Sequence, residues 1–404
     1  MKKFIRTITI FLVMTLLLSY NILYVFATED KIMLSIDEIK AAIAPLVEAE
    51  EEYYVVHDIS VDSVAPELQE DGTLRTTCSI RLSMSLRATT IDELPYIAGM
   101  LEVVGVSSLE KCTPSELIAC GFINRLQEDT AITANSSIYK TNTDYSIAKY
   151  IADATVEMAS PYASYIGEIS DFSFDIVIDS DSNHEIINIF GLSDVTTNGV
   201  QEVFPLCNYF PPEKAVLKEQ GRRDLLSKID SMQNESAMGS NSLEPSFNRN
   251  AARNYAFVYS SEASTSQTCP HGHTRINLSK YNSAYTYYCH NDCANFVSQC
   301  IYAGGIPTDT NWSPGCTAWT YVPSLYHYFY ELKGYWITSS YSTCTAGGII
   351  INQNSSGAMY HVNLCVYNDS VTHKYAAHNA DHNNKVFTST YWGSETVLYY
   401  EFGF

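Results

Sequence analysis

The chain has 404 residues, 46% of them hydrophobic and only 17% charged, a balance that excludes an intrinsically disordered protein and leaves room for two or three domains. A formal net charge of −21 repels nucleic acid and anionic lipid at long range, so no nucleic-acid partner is expected. The 30 tyrosines fit a β-rich fold first, since tyrosine favours strands, and a sugar- or peptide-binding surface second.

Lys2, Lys3 and Arg6 form a positive start, followed by an apolar run from Thr7 to Leu18 and then Val25-Phe26-Ala27, with compact residues where a signal peptidase reads. The pattern predicts a secretory signal over residues 1–27, cleaved after Ala27, and a secreted protein that can associate with the cell wall. An uncleaved membrane anchor is the competing reading, because the apolar character continues to Phe26. No later apolar run is as long, so no stable membrane insertion is expected after cleavage.

Residues 28–211 read as a small α+β domain of unassigned role. Ser35 to Glu52 has a helical stripe of Ile36, Ile39, Ile43 and Val47, a capping Ser35 with Glu38 three residues on, and Pro45 as a kink or stop. The pattern then alternates, with Arg81 to Arg87 a strand that has one apolar face. Tyr96–Val104, Pro114–Leu126 and Tyr145–Ala159 look helical. Phe172–Ile178 and Glu185–Phe190 look like strands joined by a turn at Asp179 to Asn183. His57 and His184 stand alone and are read as structural or solvated. Residues 212–247 read as a solvated connecting helix rich in Lys and Arg, then a linker of Asn, Ser, Gly and Met from Asn234 to Ser246.

The chemistry concentrates in residues 248–404. The chain has eleven cysteines, an odd count that leaves at least one unpaired if the rest pair internally. Asp292 reads as an N-cap that places Cys293 in the first turn of a helix with Phe296, Val297, Cys300 and Ile301 buried and Gly304-Gly305 as its end. At that position the helix dipole and free backbone N–H groups favour the thiolate, which is the nucleophile, and can hold an oxyanion. A base is then required, and His361 opens the alternating run His361-Val362-Asn363-Leu364-Cys365-Val366-Tyr367. A second strand at Tyr375 to Asn379, after a connection at Asn368-Asp369-Ser370, brings His378 or Asn379 beside His361 as the orienting third group, with Asp381 as a further candidate. Cys269, His271, His273 and Cys289 could form a zinc site, but their spacing matches no known motif, and a Cys269–Cys289 disulfide is as good a reading. Neither a metal nor a cofactor is therefore expected.

The strings Asn248-Arg249, Asp292-Cys293-Ala294-Asn295-Phe296-Val297-Ser298-Gln299, Ala303-Gly304-Gly305 and Ala318-Trp319-Thr320 occur in this order. Together with His361 and Ala377-His378-Asn379 they resemble the amidase domain of bacterial secreted proteins, which is similar to the NlpC-type and CHAP-type cysteine hydrolases. The resemblance covers about 155 residues, a common domain size. It implies a papain-like cysteine hydrolase fold and hydrolysis of an amide bond by Cys293 and His361, with His378 as the third, polar residue. Peptidoglycan or another peptide is the implied substrate. One departure is visible: Thr345 to Ile351 lacks the Gly-Asp strand that such domains usually carry before the histidine. The competing class is a catalytically inactive wall-binding or adhesion module on the same fold.

Overall fold

The computed structural model describes residues 33–123, 144–197, 200–235, 246–261, 277–288, 292–379, 381–387 and 395–404. The predicted signal segment, most of the linker, and Cys269, His271, His273 and Cys289 lie outside these residues.

Ser35 caps α1 (Ile36–Ala42) through a full capping box with Glu38, as the spacing predicts. Pro45 falls in the first turn of a second helix, α2 (Ala44–Glu50), so the predicted single helix is two short ones. β1 (Tyr54–Leu68) and β2 (Leu74–Leu86) form a long hairpin in which every second residue of β2, from Leu74 to Leu86, is buried. Helices α3 (Pro95–Val104), α4 (Pro114–Ala119) and α5 (Asp144–Ala159) follow. β3 (Ile169–Ser180) and β4 (Ile186–Thr197) are joined by a turn in which the Asp181 carboxylate accepts the N–H groups of Asn183 and Glu185. β5 (Val200–Pro205) closes this region.

The segment read as a solvated connector is α6 (Lys214–Glu235), and it is packed rather than free. Leu217, Leu225 and Ile229 are buried, and the helix lies against α3 with backbones in near contact. A Cβ on Gly99 would stand 1.9 Å from the Lys218 carbonyl oxygen, and one on Gly221 would stand 1.9 Å from that of Tyr96. Two glycines facing each other's backbone permit this crossing, a signal hidden beneath the Lys- and Arg-rich surface.

The C-terminal region contains α7 (Arg249–Tyr259), α8 (Cys293–Ala303), α9 (Thr317–Thr320) and α10 (Val322–Tyr326). Its strands are β6 (Trp336–Ser339), β7 (Ile349–Gln353), β8 (Met359–Asn368), β9 (His373–Ala377), β10 (His382–Phe387) and β11 (Thr396–Phe402). Helices and strands are mixed without regular alternation, as expected of an α+β protein.

One sheet runs through both regions in the order β1-β2-β3-β10-β9-β8-β7-β11-β6, with β4 and β5 continuing from β3. The junction is a short parallel contact that pairs Lys385 with Ser173. Two cores flank the C-terminal strands. Ile349, Ile351, Val362, Leu364, Val366 and Ala376 point to the core shared with α7 and α8. The alternate residues Ile350, Cys365, Tyr367, Tyr375 and Ala377 point to the core built with the N-terminal region.

Candidate active site

Cys293 is the first residue of α8, with Asp292 at the cap position as predicted. The Asp292 side chain does not cap the helix, however. Its Oδ2 lies 2.6 Å from His378 Nδ1, and its Oδ1 accepts the Tyr288 N–H at 2.9 Å and the Asn295 Nδ2 at 2.8 Å. A buried carboxylate needs several partners, and Asp292 finds stronger ones outside the first turn than within it.

The Cys293 sulfur is near enough to the backbone N–H groups of Val362, Ala294 and Cys293 itself for them to favour its thiolate. It therefore lies against the peptide that joins His361 to Val362. Cys293 is only 5% exposed. Burial pushes its thiol up to about 11, against the pull of these N–H groups, and the nearby Asp292 charge pushes the same way. The expected thiolate at a helix N-terminus is thus not the resting form: desolvation outweighs the dipole.

The polar letters of the Asp292-to-Gln299 string each hold a neighbouring segment. Asn295 donates to the Thr286 carbonyl and accepts the Trp319 Nε1–H at 2.8 Å. Ser298 donates to the Trp319 carbonyl and accepts the Trp312 Nε1–H. Gln299 accepts the Tyr255 hydroxyl at 2.7 Å. All nine residues from Cys293 to Ile301 are buried, so α8 is enclosed on every side up to its last two residues instead of showing the single apolar stripe.

His361 is the third residue of β8, half-buried and paired across the sheet with Asn352. Strand alternation gives it the face of Asn352 and Asn363, opposite the Val362 and Leu364 side chains that lie beneath α8. Asn352 and Asn363 are fully buried, and the Asn363 Nδ2 donates to the Asn352 Oδ1 at 3.2 Å. Asn352 also donates to Glu395, which accepts the Tyr360 hydroxyl. Sequence reasoning passed over this polar patch. Its signal was an asparagine closing the apolar run Ile349-Ile350-Ile351.

Two of the three candidates for the orienting residue, His378 and Asn379, meet Asp292. His378 uses Nδ1 toward Asp292 and Nε2 toward the Tyr259 carbonyl at 2.7 Å. Since a carbonyl only accepts, Nε2 carries a proton, and a second proton lies between Nδ1 and the carboxylate. With both nitrogens engaged, His378 has no hydrogen bond left for His361. Its ring is sandwiched between Tyr281, at 3.8 Å, and Phe296, at 4.1 Å. Asn379, held at φ 67°, accepts the Asp292 N–H at 3.3 Å. Asp381 accepts the Tyr281 hydroxyl and the Asn277 N–H, and burial raises its pKa.

A buried thiol at a helix N-terminus thus lies beside a histidine-bearing strand and a buried Asp292–His378 pair. Residues 246–401 match the family model described as "Putative amidase domain", which identifies this part of the chain as amidase-like at the level of the family. The matched span agrees with the region drawn from the sequence strings. No curated protein and no solved structure matches the chain.

Proposed function

We propose that this protein is a secreted cysteine amidase or peptidase that cuts amide bonds in cell-wall peptidoglycan, with Cys293 as nucleophile and His361 as general base. The observation that supports this reading most is the sulfur's position at the head of α8 against the His361–Val362 peptide. For His361 to accept the thiol proton as the sulfur attacks the amide carbonyl carbon, its ring has to rotate out of the face that strand alternation gives it and toward α8. The carbonyl electron pair moves to oxygen, where backbone N–H groups near the sulfur can receive the charge. Collapse breaks the C–N bond, the amine leaves with the proton from His361, and water then hydrolyses the thioester to restore the thiol. His378 and Asn379 are positioning residues in this scheme, holding Asp292 and through it the start of α8.

One observation favours the competing class, an inactive wall-binding module: the thiol is buried and has a raised pKa, as structural cysteines do. Incubating the wild type and Cys293→Ala with purified muropeptides, and separately with an unbiased peptide pool, distinguishes the two. Amine-releasing cleavage by the wild type that falls at least about 1,000-fold in Cys293→Ala is the expected result for a lost nucleophile. Wall binding without cleavage by either protein would leave the module reading standing.

A further inference from the structure

The segment between β6 and β7 ends beside the middle of β8. There Cys344 and Cys365 are both fully buried, and neither has a part in the proposed chemistry. The Cys365 thiol raises the pKa of the Cys344 beside it. The Cys365 sulfur also stands 3.5 Å from the Cys344 carbonyl oxygen. The surrounding backbone is fixed: the Cys365 N–H donates to the Gly348 carbonyl at 2.9 Å, and the Gly347 N–H donates to the Cys365 carbonyl at 2.8 Å. Asn368 Nδ2 donates to the Cys344 carbonyl at 2.9 Å, which anchors the other end. Even the glycine beside the pair fits, since a Cβ on Gly348 would stand 2.6 Å from the Cys344 sulfur.

We propose that Cys344 and Cys365 form a disulfide that staples the turn before β7 to β8 when the chain folds under oxidising conditions. The two thiols together give up two protons and two electrons, and the new bond joins Sγ of 344 to Sγ of 365. The oxidant is a disulfide of the glutathione or thiol–disulfide oxidoreductase class, which is reduced to two thiols by exchange. Both sulfurs are sealed from solvent in the folded protein, so exchange occurs before the core closes around them. The proposal is independent of the amidase reading, since neither residue touches the proposed site.

The test refolds the full chain from denaturant in a mixture of oxidised and reduced glutathione, and in parallel in dithiothreitol. Remaining thiols are alkylated with iodoacetamide in denaturant, and the digest is mapped by mass spectrometry. The expected result is a single cross-linked species containing residues 344 and 365 in the oxidised soluble protein, which separates into two alkylated peptides after reduction. The oxidised protein should also melt about 5 °C or more above the reduced one, a difference that Cys344→Ser abolishes. Full alkylation of both residues in soluble oxidised protein, or their pairing with other cysteines, overturns the proposal. The mapping needs only the wild type, so it decides the question even if the variant fails to fold.

Discussion

The two faces of strands β7, β8 and β9 are covered by different parts of the chain. Helices α7 and α8, both within the matched amidase region, cover one face through Val362, Leu364 and Ala376. The N-terminal region covers the other, with Tyr165 packed on Tyr367 at 4.4 Å and Phe172 on the same ring at 5.6 Å. The first face is almost wholly apolar, while the second also carries buried polar ties between the regions. Lys374 donates to Ser170 and to the Asp171 carbonyl beneath the rings of Phe172 and Tyr367. Lys385 lies 2.6 Å from the Asp175 carboxylate, and Asp369 accepts the Tyr54 hydroxyl. The span recognised by family likeness therefore shares its sheet and one of its two cores with the N-terminal region. Lys374, Lys385 and Asp369 each have a partner in the other region, which ties the two together.

The largest effect should come from removing one cover. A chain beginning at residue 246 should lose the cooperative thermal transition of the full protein, because Tyr367, Tyr375, Lys374 and Lys385 would be exposed or orphaned. A sharp, reversible melt of that fragment by calorimetry would mean that the faces are independent. On the other face, His378→Ala leaves the Asp292 carboxylate buried without its main partner, and should cost about 3 kcal/mol in denaturant unfolding. A loss below about 1 kcal/mol would show that the pair does not brace α8. Gly99→Ala forces a methyl into the α3–α6 crossing and should cost about 2 kcal/mol, whereas Gly72→Ala, in an open turn at φ 85°, probes backbone strain alone.

A subtler contrast is in pH. His373 on β9 is buried against Tyr341, and burial lowers its pKa to about 3. The unfolded chain binds this proton near 6.5, so between pH 6.5 and 3 the unfolded state holds more protons than the folded one. The stability that His373 contributes is present above 6.5 and is lost as pH falls through that window. In His373→Phe, that part of the stability curve, followed by urea unfolding, should flatten. At the thiol, iodoacetamide labelling of Cys293 should rise about tenfold per pH unit between 7 and 10, since only thiolate reacts and its pKa is about 11. A plateau starting near neutral pH would instead reveal a preformed thiolate–imidazolium pair.

Local features were the legible ones. The Ser35 capping box, the strand at Arg81–Arg87, the Asp181 turn and the start of α8 at Cys293 each depend on residues a few positions apart. The unseen features are pairings across long separations. Nothing near Ser173 signals that it meets Lys385, and Gly99 and Gly221 reveal their purpose only when both helices are in place. At the site, the cap position of Asp292 was legible but its carboxylate's partner was not, because His378 lies 86 residues away. The third residue was sought on the strand after His361, while the buried polar neighbours on the face of His361 are Asn352 and Asn363.

The meeting of β3 and β10 also orders events in time. The hairpin of β1 and β2 and the strand β3 can be laid down from the first half of the chain, yet the neighbour of β3 at Ser173 arrives only with Lys385. Until almost the whole polypeptide is available, the first half of β3, before the Ile176–Ser180 stretch that β4 covers, lacks its neighbour on that edge, the arrangement that recruits stray strands from other molecules. Formation of the joint β sheet is thus a late, slow event set by a long sequence separation, and a nascent or truncated chain is most vulnerable to aggregation along β3.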